Sequence, residues 1–394
     1  MNVTLKSICK RFSSGDRIDT SQIKEFGKYP VFGGNGIRGY TDIYNFSGRC
    51  AIIGRQGANC GNVRYYEGKA FMTEHAIVVE TNEYNDIGYL AFRMSLMDLG
   101  RYQGQSAQPG LSVKTISELS IEVPTLNVQR KIWRVLNKID LKIDNNNQIN
   151  NNLEELVKTI YQRWFIEFEF PNEEGKPYKS SEGKFVYNEE LKQEIPEDWK
   201  VENCYTNSLY DIIKPGLKWF KTKNYLATGN VEGRSITDGE WVKYDNRESR
   251  ANMQPSSNSI WFAKMKNSIK HITLPENSEW FNEKYVLSTG FLGISCKENT
   301  LSYLHAFIYS DYFEKVKDML AHGATQEAIN NEDLKAINLL VPEKQVLELF
   351  ENSTKTIIQN ELDIVRENQR LNSLKEYLLP LLMNGLINVD DIEI

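Results

Sequence analysis

Cysteine and histidine are scarce in this chain, and neither is arranged for chemistry. Its 394 residues hold five cysteines (Cys9, Cys50, Cys60, Cys204 and Cys296), an odd number with no Cys-x-x-Cys pair. They read as small buried residues rather than a disulfide framework. The four histidines, His75, His271, His305 and His322, show no metal-ligand spacing, so no metal site is expected. No apolar run approaches the ~20 residues that a spanning helix needs. The first residues, MNVTLKSICKRF, lack the apolar core and small-residue cleavage site of a signal peptide. A cytoplasmic protein is expected. Also missing are a Gly-x-x-x-x-Gly-Lys-Ser/Thr phosphate loop, a Pro-Pro-Tyr/Phe amino-methyltransferase motif, and any Ser/His/Asp or paired-carboxylate constellation. The residues that carry catalysis are not here, and no enzymatic role is expected.

What is present describes a folded protein of two or three domains, 40% apolar and 25% charged. The net charge of −6 is unevenly spread. Residues 343–394 hold 5 Lys/Arg against 10 Asp/Glu, residues 1–124 hold 14 against 12, and residues 214–270 hold 11 against 5. A local excess of cations attracts a polyanion whatever the total charge.

The longest periodic signal runs from about Gln129 to Trp164. Ile132, Leu136, Ile139, Ile143, Leu153, Val157, Ile160 and Trp164 keep an alternating four-three beat, with Asn146 and Asn150 on the two beats left polar. A beat of 3.5 residues marks a helix with a narrow seam that requires a partner helix. Adding 218 to Ile132, Leu136, Ile139, Ile143, Leu153, Ile160 and Trp164 gives Phe350, Thr354, Ile357, Glu361, Leu371, Leu378 and Leu382, while Asn150 maps to Asn368 and Leu156 to Leu374. The approach to the helix repeats as well. Leu111-Ser, Ile116, Leu119, Ile121 and Val123-Pro124 become Ile329-Asn, Leu334, Ile337, Leu339 and Val341-Pro342. A repeat of whole units predicts pseudo-two-fold symmetry. The two helices then pack antiparallel as a rod of roughly 50 Å, at ~1.5 Å per residue. In that register Asn146 meets Asn368, a polar pair that fixes alignment at a cost in stability. Pairing between two chains satisfies the seam alone equally well.

The expected class is α+β: two globular domains joined by two long helices packed as an antiparallel coiled coil, with an internal pseudo-two-fold repeat. The expected boundaries are 1–124 and 196–342 for the globules, 125–168 and 343–386 for the helices, a linker hairpin over 169–195, and a tail over 387–394. Within the globules, Cys50-Ala-Ile-Ile-Gly, His75-Ala-Ile-Val-Val-Glu80, Ser259-Ile-Trp-Phe-Ala263 and Ile269-Lys-His-Ile-Thr-Leu274 read as strands. Tyr89 to Leu99 and Leu301 to Leu320 read as helices, and the linker hairpin is placed around Ser-Ser-Glu-Gly.

Gly34-Asn-Gly36-Ile-Arg38-Gly39 has the glycine spacing of a dinucleotide-binding turn, but no helix-forming segment follows it, so a tight glycine-rich loop is the better reading. The loops suit a DNA reader better. Arg55, Gln56, Asn59 and Asn62 lie among glycines, and Arg pairs bidentately with guanine while Asn and Gln pair with adenine. Gln105 and Gln108 in one half and Gln326 in the other occupy equivalent small-polar loops. The basic stretch interleaves Lys218, Lys221, Arg247, Arg250, Asn252, Lys264, Lys266 and Asn267 with Trp219, Phe220 and Tyr225. Lys/Arg there would hold phosphates, and Asn/Arg would read base edges. Ordinary polar turns and a solvated basic face are the competing readings.

Several strings resemble the specificity (S) subunit of type I restriction-modification systems. They are Val123-Pro-Thr-Leu-Asn-Val-Gln-Arg-Lys-Ile132, Leu153-Glu-Glu-Leu through Trp164-Phe-Ile-Glu-Phe, Ile195-Pro-Glu-Asp-Trp199 and Leu379-Pro-Leu-Leu-Met-Asn-Gly385. Tyr29-Pro-Val-Phe-Gly-Gly-Asn-Gly resembles one recurring type of first recognition domain, and Val341-Pro-Glu-Lys-Gln345 is a weaker copy of the first string. The resemblance implies a non-catalytic DNA reader whose two recognition domains each read half of a bipartite target. The helices would set the gap and dock two methyltransferase (M) subunits. S-adenosylmethionine, ATP and Mg would belong to the partner M and restriction (R) subunits, with double-stranded DNA bound and no membrane involved. A coiled-coil adaptor without sequence-specific DNA binding is the alternative.

Overall fold

Two long helices, Leu126–Tyr161 and Lys344–Met383, dominate an otherwise sheet-rich α+β chain. The computed structural model describes residues 2–34, 36–57, 59–104, 110–233 and 235–392. The chain divides into two compact units: Met1–Lys142 with Leu371–Ile394, and Ile143–Arg370. Each long helix contributes one part to each unit.

The first unit is built on a six-stranded sheet in the order 9–14, 76–81, 46–54, 63–72, 29–33, 36–41. Its central strands are the apolar runs read from sequence, now Phe46–Gly54 and Ala76–Thr81, and Ala51, Ile53, Ile77 and Val79 are fully buried. The helix Ile87–Ser95 packs on these strands, and the Asp86 carboxylate caps it by accepting the Tyr89 N–H at 3.0 Å. Asn2–Thr4 pairs antiparallel with Ser120–Glu122, immediately before the first long helix. That helix is anchored by buried Gln129, whose amide donates to the Pro124 carbonyl and Asn85 Oδ1 and accepts the Asp86 N–H. Ile132, Val135 and Leu136 then pack with Leu382 and Met383 of the second long helix. Asp140 pairs with Lys375 at 2.5 Å.

The second unit holds two four-stranded sheets, in the orders 210–212, 291–296, 259–263, 271–274 and 240–242, 223–226, 285–288, 251–253. Its core includes Trp261 and Phe262 from the predicted strand Ser259–Ala263. The neighbouring strand begins at His271, two residues later than expected. The single helix expected over Leu301 to Leu320 is two, Leu301–Ile308 and Asp311–Leu320. The break falls at Ser310, whose hydroxyl accepts the Phe313 N–H and starts the second helix. The linker hairpin joins Phe185–Asn188 to Gln193–Pro196. The Ser-Ser-Glu-Gly segment expected at its turn lies instead in and just after the short 3₁₀ helix Lys179–Ser181. Asn188 Oδ1 accepts the Glu190 and Leu191 N–H groups, which sets the turn where sequence placed none.

The helix segments of this unit contact through polar groups at their seam. Asn146 Nδ2 donates to Asn368 Oδ1 at 2.9 Å and to Glu367 Oε2 at 2.7 Å, Asn368 donates to Asn147 Oδ1, and Asn150 donates to the Glu361 carbonyl. As residue numbers rise on one helix, those of their partners fall on the other.

The repeat extends further back than sequence could follow. Lys200–Asn203 pairs antiparallel with Asn338–Val341, as Asn2–Thr4 pairs with Ser120–Glu122. The Leu5 N–H donates to the Leu119 carbonyl at 3.0 Å, and the Cys204 N–H donates to the Ile337 carbonyl at 2.9 Å. Ile337 lies 218 positions after Leu119, but Cys204 lies only 199 after Leu5. The two strands Asn2–Thr4 and Lys200–Asn203 therefore share a hydrogen-bond pattern while differing in spacing and side chains.

Candidate nucleic-acid interface

In the first unit, three glycine-rich segments converge at one end of the sheet. A methyl group on Gly34 would lie 2.6 Å from the Gln56 carbonyl oxygen, and one on Gly54 would lie 2.2 Å from the Gly34 oxygen. Gln56 also forms an isolated bridge with Gly110, and the Leu111 N–H donates to the Arg55 carbonyl at 2.9 Å. Such approaches exclude any Cβ, and this is why the sequence concentrates glycine here.

The candidate residues of this unit divide by orientation. Arg55 is turned inward. Its guanidinium donates to the Leu111 carbonyl at 3.3 Å, to Ser14 Oγ at 3.3 Å and to the Glu74 carbonyl at 3.4 Å. These bonds join the loops to one another, because three acceptors surround its fork. Gln56 is half-buried behind it, while Asn59 and Asn62 are exposed. Arg38 is exposed on the hairpin of Tyr29–Gly33 and Gly36–Thr41. Gln105 and Gln108 lie outside the described residues. Sequence reasoning missed Arg64, exposed on Val63–Met72 beside Gly36. Its only signal was an arginine two positions beyond Asn62.

In the second unit, Lys218 and Lys221 are exposed around Trp219, which is itself 71% exposed, while Phe220 is buried. Arg247, like Arg55, is folded back, with its guanidinium donating to the Tyr244 and Ala251 carbonyls and lying 4.2 Å from the Tyr244 ring. These contacts brace the loop. Arg250 and Lys264 form a pair of like charges. Burial, then the charge of Arg250, lowers the Lys264 ammonium below its ordinary value. Asn252 is half-buried. Lys266 is paired with Glu327 at 2.9 Å, and the Asn267 N–H is held by Asp318. Gln326 is exposed in the loop after Leu320.

The helix seam residues are placed as follows. Ile132, Leu136, Ile139, Asn146, Asn150 and Phe350 are buried, and Ile143, Leu153, Ile160, Ile357, Asn368, Leu371 and Leu378 are half-buried. Leu156 and Leu374, which the repeat also matches, are exposed.

Sequence gave no sign of a buried polar cluster in the second unit. His271 Nε2 lies 2.8 Å from Glu314, and the Lys317 ammonium, fully buried, donates to the same carboxylate at 2.6 Å. Burial alone would raise the Glu314 pKa, but these two partners outweigh it and hold it below its ordinary value. Thr273 joins His305 to Tyr309 beside it. Among the described residues no group of three or more His, Cys, Asp or Glu is placed to hold a metal ion. No helix of the described chain is long and apolar enough to cross a membrane.

Comparison with known proteins places these features. Residues 1–155 match the family model described as the type I restriction modification DNA specificity domain. The EcoprrI specificity subunit of Escherichia coli is 44% identical over 112 residues, 28% of either chain. The MjaIX specificity subunit of Methanocaldococcus jannaschii is 23% identical across 96% of this chain and 92% of its own. The crystal structure of a type I restriction-modification S subunit from M. genitalium shares the fold, with a TM-score of 0.60 at 13% identity over 97% of this chain and 95% of that one. Residues 1–155 thus carry the match to the type I restriction modification DNA specificity domain, and over nearly its full length the chain is similar to the M. jannaschii specificity subunit and shares the fold of the M. genitalium S subunit.

Proposed function

We propose that this chain reads a bipartite DNA target without performing chemistry itself. Recognition domains over 1–124 and 196–342 each read one half-site. The two long helices pair as an antiparallel coiled coil, set the gap, and dock two M subunits. The M subunits supply S-adenosylmethionine chemistry on the target, and R subunits supply ATP- and Mg-dependent cleavage, all in the cytoplasm. The observation that carries this reading is the duplication: the same strand pair, the same Leu5–Leu119 type of backbone bond and the same helix entry recur in each unit. A chain built as two equivalent readers suits a target with two parts. Exposed cations and amides in both units supply phosphate and base contacts.

The test is binding of the S–M complex to duplexes at fixed ionic strength, with methylated adenines mapped in cells that carry or lack the gene. A two-part motif that disappears with the gene supports the reading. Binding at the non-specific level for every duplex, or methylation by the isolated chain, overturns it. Adding a heptad to both helices should change the spacer recognised and leave the half-sites unchanged.

A further inference from the structure

We infer that Arg38 and Arg64 together form a guanine-reading pair, resting on the proposed role of the first unit as a DNA reader. The hairpin of Tyr29–Gly33 and Gly36–Thr41 carries an irregularity between Val31 and Phe32. Val31 pairs with Gly39 and Phe32 with Ile37, so Arg38 is the extra residue of a bulge. A bulge re-aims a side chain that regular pleating would send elsewhere. Arg38 is thereby laid across Gly33, where an added Cβ would lie 2.4 Å from its Cδ. Gly33 pairs with Gly36, and an added Cβ on Gly36 would lie 3.1 Å from the Arg64 guanidinium carbon. Gly36 has φ +105°, which non-glycine residues rarely adopt. Two arginines from different strands thus lie against one pair of glycines, and any larger residue at Gly33 or Gly36 would displace them.

The charges are uncommitted. Arg11 is paired with Glu80, Arg49 with Asp86 and Glu67, Arg55 with loop carbonyls and Arg93 with Asn384. Among the described residues, neither Arg38 nor Arg64 has an ion-pair or hydrogen-bond partner, and both are exposed. A guanidinium presents donors only, in a fixed fork that matches the O6 and N7 acceptors of guanine. A phosphate clamp needs only charge, which a flexible lysine supplies. The Arg38 stem held against Gly33 and the Arg64 fork held against Gly36 are oriented, and orientation is what base reading requires.

The discriminating experiment uses the S–M complex and a duplex pool in which the half-site read by this unit is randomised. Arg38→Lys and Arg64→Lys keep the charge and remove the fork. The expected result is a loss of preference for guanine, about 10–100-fold, confined to one or two positions, with the other half-site unchanged. Equal weakening on all sequences makes the pair a phosphate clamp and overturns the inference, as does unchanged preference. If the unsubstituted complex shows no sequence preference, the reader role itself fails, which is a separate outcome. Thermal unfolding of each variant identifies a loss caused by misfolding. In that case Arg64→Gln, which retains a planar amide head, repeats the test and is expected to shift preference from guanine towards adenine.

Discussion

Trp164 and Phe350 meet edge to face in the second unit, with ring centroids 5.5 Å apart. Shifted by 218 positions they become Leu382 and Ile132, which share a core cluster in the first unit. The same pair of repeat positions is therefore packed in each unit. Phe350→Ala removes a fully buried ring and is expected to cost about 3–5 kcal/mol, while Ile132→Ala costs about 2–5 kcal/mol at the equivalent place. Denaturant unfolding of the two single variants measures both, and a surface-like cost below about 0.5 kcal/mol at either position contradicts the packing described.

Asn146 and Asn368 hold the seam by a 2.9 Å hydrogen bond. Replacing Asn146 alone with leucine leaves Asn368 and Glu367 short of a donor and should destabilise by about 1–3 kcal/mol. Replacing both with leucine should recover stability but relax alignment and oligomeric state. Light scattering and thermal unfolding of the pair of variants decide this, and a double variant whose oligomeric state is unchanged from the parent removes the alignment role.

Gly88 faces the Trp133 ring, where an added methyl carbon would lie 2.3 Å from the nearest ring atom. Alanine favours a helix over glycine by about 1 kcal/mol, yet Gly88→Ala should destabilise by about 1–3 kcal/mol because the overpacking outweighs the propensity. A stabilised Gly88→Ala variant would show that the indole moves freely.

Glu314 makes stability depend on acid. Its folded pKa lies below the ordinary carboxylate value, so its contribution is complete above about pH 4.3 and is lost as pH falls through the folded value. Glu314→Gln leaves the Lys317 ammonium buried without its counter-charge, a defect of about 3–5 kcal/mol at neutral pH. The variant should also lose less stability than the parent between about pH 4.3 and the acid limit. Parallel stability curves for the two proteins would disprove this.

Lys218 and Lys221 are exposed beside Trp219. If they contact phosphates, replacing both with alanine lowers affinity for every duplex alike and reduces the salt slope by about 2. A change in half-site sequence without a change in slope would instead make them base readers.

The seam and the duplication were legible because both depend on apolar spacing, which the sequence displays directly. Ile132 through Phe350 could be paired before any coordinates. The strand Asn2–Thr4 and its counterpart Lys200–Asn203 could not, since they repeat in main-chain bonds rather than in side chains. Arg55 and Arg247 were named for their chemistry, but orientation is decided by acceptors brought from distant segments, Leu111 for Arg55 and Ala251 for Arg247. Arg64 escaped notice for the same reason: Gly36, which shapes its surroundings, lies on another strand.

The paired strands at the entrance of each unit have a consequence for how such proteins change. Asn2–Thr4 with Ser120–Glu122, and Lys200–Asn203 with Asn338–Val341, are joined by the same main-chain ladder although their side chains differ. The strand pair thus sets few demands on sequence at the junction, whereas a globule of unrelated sequence placed there would still have to supply the contacts that Asp86 and Gly88 make with Gln129 and Trp133 of the long helix.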